Sequence, residues 1–456
     1  MNRLPPEILS RIAWLVRGYA IDAKPVVPLT HVCRYWRESI VTTPGNWTSI
    51  SSGSVRLAEL CLERCQETPL ELSLVMYDVG ENSEFTALIM PYMQNTETLR
   101  IRRISTIGEL VRRLPDLPQS IPNLRTLSLS SDHDIARQDV LADPFGQSTL
   151  ALRVLSLASL PLFPSLQRLT TLTNLTLHCR GLDLPIDTLL DFLEANRALE
   201  NVTLDLTLST FQNSRRRVGA VNHLQSLSTC SSDAAEINAF ISRIPLQRGA
   251  RLEIDLGGQN AGLSEVMSGI PVTHFLNLQS PTSSEYCPDD RSIELSGPNG
   301  SFLFKCDPHR TAPFAGFPIF QLTNIKVFHL TRRASGLMDV QTRIKFPPYA
   351  LPALETLTIK HELDALHLLS ASLTDPSASP SLKTLAFLDC RLDGACIKRL
   401  TKFASDRKTT TSSWLYRVVI VTSGGNFPSV SSIDSLADHV PVVDVRMGKK
   451  LPADLF

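Results

Sequence analysis

Aromatic side chains are scarce in this sequence. Phe, Trp and Tyr make up 6% of its 456 residues, so the hydrophobic 43% is mostly aliphatic, with leucine dominant. A net charge is missing altogether. Forty-five Lys and Arg offset forty-five Asp and Glu, which removes the electrostatic case for nucleic acid or an anionic membrane as the main partner. The basic run Arg215-Arg216-Arg217 is only three residues long and reads as a solvated loop beside the longer runs that mark nucleic-acid patches. A disulfide framework is not written in either. The nine cysteines are scattered and odd in number, which points to a reducing compartment. No apolar run approaches the ~18 residues that span a bilayer, and Glu7 and Arg11 interrupt the N-terminal apolar stretch that a signal peptide would need. The expectation is a soluble intracellular protein, cytoplasmic or nuclear, with neither nucleic acid nor membrane as a partner.

Signatures of catalysis are missing as well. His361-Glu362 is followed by His367 six positions after the first histidine. That spacing takes the second imidazole off the helical face that the His-Glu-x-x-His zinc motif requires. Cys61 and Cys65 share a probable helix at i, i+4, but no second Cys/His pair stands at metal spacing, so they read as core cysteines. No Gly-x-Ser-x-Gly elbow, Walker loop or dinucleotide fingerprint occurs, and Gly424-Gly425 reads as a turn after a strand at Arg417–Thr422. Catalytic residues, metal and cofactor are therefore all expected to be none, and the protein is expected not to be an enzyme.

What the sequence does have is leucine at regular intervals. A Leu-x-x-Leu-x-Leu pattern recurs at Leu124/Leu127/Leu129, Leu152/Leu155/Leu157 and Leu172/Leu175/Leu177. Variants follow at Leu199/Val202/Leu204, Ile325/Phe328/Leu330, Leu354/Leu357/Ile359 and Leu382/Leu385/Phe387. First positions lie 28, 20 and 27 residues apart in one group and 29 and 28 in the other, periods that fit leucine-rich repeats. Within Leu-x-Leu the period is two, so the leucines point to one side and the residues between them to the other. Each such unit buries one face only and must stack on its neighbours. Helices fit between the strands at Ile186–Ala195 and 395–403. Near the front, 57–65 fits a helix and Leu70-x-Leu72-x-Leu74 a strand. Between about residues 207 and 320 the pattern fades, although 251–256 and 274–278 remain possible strands. There, 292–295 and 301–305 flank Gly297-Pro298-Asn299-Gly300 and read as an inserted hairpin near 290–306, approached by a surface loop at 279–288.

The outward positions inferred for these strands are Thr126, Ser128, Val154, Ser156, Asn174, Thr176, His178, Asn201, Thr203 and Asp205. They make a small, polar, nearly neutral concave face. Two readings stand: a face for a target, as in other solenoids, or simply residues that suit exposed strands.

The first fifty residues differ from the rest. Pro5 and Pro6 suit the opening turn of a helix. Ile8, Ile12 and Leu15 then recur at helical spacing, widened by Leu9 and Val16. Gly18 and the prolines at 25 and 28 interrupt it. A second helix fits 29–40, placing Leu29, Val32, Cys33, Trp36 and Ile40 on one face. Pro44-Gly45 makes a turn before Trp47. So small a unit rarely holds itself together alone, and its apolar stripes need the rest of the chain or another protein.

The run LPPEIL from Leu4 to Leu9, then Ile12, then VCRYWR from Val32 to Arg37, then Trp47, resembles the F-box, over about a tenth of the chain. Together with the repeats, the chain is similar to fungal-type F-box proteins with degenerate leucine-rich repeats. The resemblance implies an α/β protein: a small helical F-box at 1–50, then at 51–456 an irregular solenoid of parallel strands alternating with helices. It also implies docking on a Skp-family adaptor, and through it on a cullin scaffold, with Leu4, Pro5, Ile8, Leu9, Ile12, Leu29, Val32 and Cys33 as contacts. Trp36 and Trp47 would hold the helices together. The implied role is the substrate receptor of an SCF-type ubiquitin ligase with an unknown target protein. The alternative is an interaction scaffold outside any ligase, whose F-box serves assembly or localisation.

Overall fold

The computed structural model describes residues 4–18, 22–76, 83–104, 121–132, 151–160, 162–163, 166, 169–209, 223–231, 233–244, 246, 249–256, 281–287, 292–297, 300–305, 325–331, 352–360, 380–390, 392–410, 414–422 and 429–447. The chain is mixed α/β and divides into two compact units, Met1–His223 and Leu224–Phe456.

The first unit opens with helices: α1 at Pro6–Arg17, a 310 segment at Lys24–His31, α2 at Arg34–Val41 and a 310 turn at Pro44–Asn46. Parallel strands follow in sequence order: β1 (Ser49–Ser51), β2 (Leu70–Val75), β3 (Thr96–Arg102), β4 (Thr126–Ser130), β5 (Val154–Ala158), β6 (Asn174–Pro185) and β7 (Asn201–Ser209). Helices α3 (Val55–Cys65), α4 (Ser83–Ile89) and α5 (Ile186–Ala195) lie in the crossovers.

The repeated leucines set the register. Leu127, Leu155, Leu175 and Val202 are aligned neighbours, as are Leu129, Leu157, Leu177 and Leu204, and all eight are buried. Each aliphatic side chain removed from water in this way contributes ~1.5–3 kcal/mol. Helix α3 starts at Ser54, whose Oγ accepts the Leu57 N–H at 3.3 Å. It buries Ala58, Cys61, Leu62 and Cys65 on one face. Helix α5 buries Ile186, Leu189, Leu190, Phe192 and Leu193. It ends at the buried Asn196, whose Nδ2 donates to the Phe192 carbonyl at 2.8 Å. After β3, β5 and β15 (Thr384–Leu388), the next residue is left-handed although it is not glycine: Arg103, Ser159 and Asp389 have φ of 60°, 55° and 53°. The short polar side chains of Ser159 and Asp389 tolerate that conformation better than a branched one would.

The second unit holds β8 (Ser226–Cys230), β9 (Arg251–Asp255), β10 (Ser283–Cys287), β11 (Ser292–Gly297), β12 (Gly300–Lys305), β13 (Val327–Thr331), β14 (Thr356–Lys360), β15, β16 (Arg417–Thr422) and β17 (Val442–Met447). Helices α6 (Ala234–Ile241), α7 (Gly394–Thr410) and α8 (Val430–Ala437) accompany them. The spatial order is β8-β9-β12-β11-β10-β13-β14-β15-β16-β17, parallel throughout except for β11.

Several expectations need correction. The single helix expected over 29–40 is two pieces, because Cys33 is extended (φ −161°, ψ 172°) and α2 begins only at Arg34. Pro28 inside the first piece keeps it in 310 geometry. Part of the loop expected at 279–288 is strand β10, which completes a meander with the expected hairpin β11–β12. Strands β3, β8 and β17 were not foreseen. Strand β1 pairs with β2 from Ser49 onward, so the helical segment ends at Thr48. The possible strand at 274–278 lies outside the described residues.

Candidate functional site

The N-terminal unit presents two surfaces. The first is the helical segment. The N–H groups of Ile8 and Leu9 turn back to the Pro5 carbonyl at 3.0 and 3.2 Å, starting α1 without a side-chain cap. Gly18 ends it in a left-handed conformation (φ 51°). The helix is apolar on most sides, and packing divides it. Leu9 and Ala13 are buried, whereas Ile8 and Leu15 are 47% and 60% exposed. With half-buried Ile12, these two make an i, i+4, i+7 row facing outward.

Polar contacts tie the segment together. Tyr35 donates to the Leu4 carbonyl at 2.7 Å, Arg37 Nε donates to the Thr30 carbonyl at 3.0 Å, and Ser10 donates to Thr43 at 3.4 Å. Trp47 is fully buried, with its indole N–H donating to the Ile40 carbonyl at 3.0 Å and the Arg64 guanidinium 4.4 Å above its ring. That stack anchors the helical segment to α3.

Of the eight residues expected to dock a partner, Leu4, Pro5, Ile8, Val32 and Cys33 are exposed, and Ile12 and Leu29 are half-buried. Leu9 is 1% exposed and belongs to the core. Trp36 is half-buried and Trp47 is in the core. Sequence reasoning left out of the candidate contacts Trp14, Leu15 and Val16, all exposed. The Arg11 guanidinium lies over the Trp14 ring at 4.4 Å. The signal for Leu15 was there, one heptad beyond Ile8.

The second surface is the outward side of the first unit's sheet. The structure brings the ten residues expected there into three rows. Thr126, Val154, Asn174 and Asn201 form one, and Ser128, Ser156, Thr176 and Thr203 the next. His178 and Asp205 are neighbours in the third, beside Ala158. Asn201 Nδ2 donates to Asn174 Oδ1 at 3.0 Å, and His178 Nδ1 lies 3.6 Å from Asp205 Oδ2. All ten are half-buried or exposed.

Toward β1 the same side is covered. Ser49, Ser51 and Ser73 are buried. Ser51 donates to Asp22 Oδ2 at 3.0 Å, Ser49 donates to Glu71 Oε2 at 3.3 Å, and Arg17 Nη2 reaches Glu71 Oε1 at 3.5 Å. The end of α1 and the segment after it therefore lie over β1 and β2. The open face begins at β3, where Arg100 and Arg102 are exposed.

The Cys61 thiol is pushed up to about 12, chiefly by burial, with Cys65 adding to the effect, and burial raises Cys65 too. Both stay protonated and unreactive at neutral pH. Among the described residues no group of three or more His, Cys, Asp or Glu is placed to hold a metal ion, and no helix is long and apolar enough to cross a membrane. Arg215 to Arg217, His361, Glu362, His367 and Gly424-Gly425 lie outside the described residues.

No protein family matches the chain, and no curated protein matches it. Among solved structures, it is similar to a Bacteroides fragilis protein determined by a structural genomics consortium, at a TM-score of 0.22 and 12% identity over 87% of this chain and 79% of that one. A likeness at that level carries no argument about fold or function.

Proposed function

We propose that this chain is the substrate receptor of an SCF-type ubiquitin ligase. Its N-terminal helical segment acts as an F-box on a Skp-family adaptor linked to a cullin, and the rest is an irregular leucine-rich solenoid that holds a target protein. One observation carries the reading. Of the ten large hydrophobic side chains that are exposed among the described residues, six fall between Leu4 and Val32. A concentration of apolar surface in so short a segment marks an interaction site, and it coincides with the LPPEIL and VCRYWR runs that resemble the F-box. Each such side chain buried in a complex contributes ~1.5–3 kcal/mol before the costs of association.

The chain then catalyses nothing. It holds a target near a ubiquitin-charged enzyme and raises the effective concentration of one for the other. The anchoring of Trp47 under Arg64 makes the joint between adaptor and target stiff.

The test is capture of a purified Skp-family adaptor by the full chain, against Ile8→Asp combined with Val32→Asp. Both side chains are about half exposed, so the variant keeps its fold and its melting temperature. Capture is expected to fall at least tenfold, since two carboxylates would have to be desolvated. Equal capture by both proteins sinks the reading. Adaptor capture without any cullin joining the complex moves the assignment to an interaction scaffold outside a ligase.

A further inference from the structure

The open face of the first unit is neutral and small along most of its length, but not at its β3 end. Arg100 and Arg102 alternate with the buried Leu99 and Ile101, so both guanidinium groups stand on the same side as the Ser and Thr rows. Both are exposed, and neither has an ion-pair or hydrogen-bond partner among the described residues. Three other arginines at this end of the sheet are engaged: Arg103 with Asp132 at 3.0 Å, Arg125 with Glu97 at 3.3 Å, and Arg17 with Glu71 at 3.5 Å. Arg100 sits in register between Ser73 and Ser128. Ser73 is 2% exposed, and its hydroxyl has no hydrogen-bond partner.

We propose that β3 to β7 seat an extended peptide segment of a partner protein, and that Arg100 and Arg102 clamp an anionic side chain, carboxylate or phosphate, at its β3 end. This rests on reading the face as the target site.

The rest of the face fits that occupant better than others. The row of Arg100, Ser128, Ser156, Thr176 and Thr203 crosses five strands. At ~4.8 Å per strand step the row is ~19 Å long, the span of about six extended residues. Its hydroxyls, with Asn174 and Asn201 in the adjacent row, offer donors and acceptors to a peptide backbone. No Phe, Tyr or Trp stands in these rows, so nothing is there for nucleobases to stack on. Among the outward positions at 126–130, 154–158, 174–178 and 201–205, Val154 and Ala158 are the only apolar side chains, too little for a lipid surface. Polarity also sets the direction. Asp205, 3.6 Å from His178, marks the far end and repels an anion there, whereas two guanidinium forks at β3 match a carboxylate or phosphate.

The test uses the full chain to select from a random twelve-residue peptide display library, in parallel with a charge-reversed variant, Arg100→Glu with Arg102→Glu. Both substitutions are at exposed positions, so the melting temperature and adaptor capture serve as controls and should not move. Wild type is expected to enrich peptides with Asp or Glu, and the variant to lose that enrichment or select Lys and Arg instead. Selected peptides are then synthesised with Glu, phosphoserine or serine at the acidic position. Serine should bind at least tenfold more weakly than the anionic forms. A phosphoserine form binding tighter than Glu identifies phosphate as the source of the anion, and equal binding identifies carboxylate. The proposal is overturned if wild type selects no acidic peptides, if both proteins select the same set, or if a single-stranded oligonucleotide displaces the peptides. Loss of adaptor binding alone would remove the ligase role and leave this peptide site standing.

Discussion

Strands β4–β7 and strands β14–β16 share one plan, a parallel ladder whose motif residues are buried on one side, but they treat the other side differently. In the first unit, Ser128, Ser156 and Thr176 stand half-exposed between buried leucines, and Thr203 between buried Val202 and Leu204. In the second, the corresponding places hold Thr358, Ala386 and Val419, all 0% exposed, with Leu388 and Val421 buried beside them. A strand open on one side alternates apolar and polar residues, and a strand covered on both sides need not. One strand plan therefore serves two purposes, an accessible polar face in one unit and a two-sided core in the other.

The largest test of that contrast is a charge at matched positions. Ala386→Asp buries an unpaired carboxylate and is expected to cost on the order of 4 kcal/mol, whereas Ser156→Asp on the open face should stay within about 0.5 kcal/mol. Urea titration of the full chain followed by circular dichroism measures both, and equal costs would erase the distinction. A smaller effect runs the other way. Thr358 Oγ1 is buried and has no hydrogen-bond partner, so Thr358→Val is expected to stabilise by about 1 kcal/mol, while Thr176→Val should not. The melting temperatures of the two variants separate these outcomes.

The smallest test lies where the two-sided core gives way to the half-exposed β17. There the Asp444 carboxyl is held below the usual range, first by hydrogen bonds from Arg446 at 2.7 and 2.8 Å and then by Arg417 at 3.3 Å. A carboxyl whose value is lower in the folded than in the unfolded state adds stability above its unfolded value. That stability is lost as pH falls through the folded one. Asp444→Asn should therefore lower the melting temperature slightly near neutral pH, and the gap to wild type should close below about pH 4. A gap that persists in acid would assign the effect to packing.

The alternation of leucines made β4 to β7, β14 and β15 legible in the sequence, and α5 was placed to the residue. Strand β3 escaped because Thr96 stands where the motif has its first leucine, and β8 because Thr229 stands where it has its last. The run Val418-Val419-Ile420-Val421 in β16 was legible as a strand, and its lack of alternation already carried the covered second face. The helical segment was harder. Ile8, Leu9, Ile12, Ala13, Trp14, Leu15 and Val16 leave α1 apolar nearly all round, so periodicity could not say that Leu9 turns inward and Ile8 outward. The cover over β1 and β2 was beyond reach. It depends on Arg17 meeting Glu71 and Asp22 meeting Ser51, pairs 54 and 29 positions apart.

The meander β10–β11–β12 obeys a rule of parity. In a sheet that is parallel on both flanks, a lone hairpin would turn one antiparallel edge toward a neighbour. Three strands running forward, back and forward present a parallel edge on each side, β12 to β9 and β10 to β13. The insert thus behaves as a parenthesis: its outer strands match the flanks, so a chain lacking all three could close β9 directly onto β13 without reversing any strand. Sheets of this kind can gain or lose such segments in odd numbers of strands only, which gives the second unit a way to change length while its ladder keeps one direction.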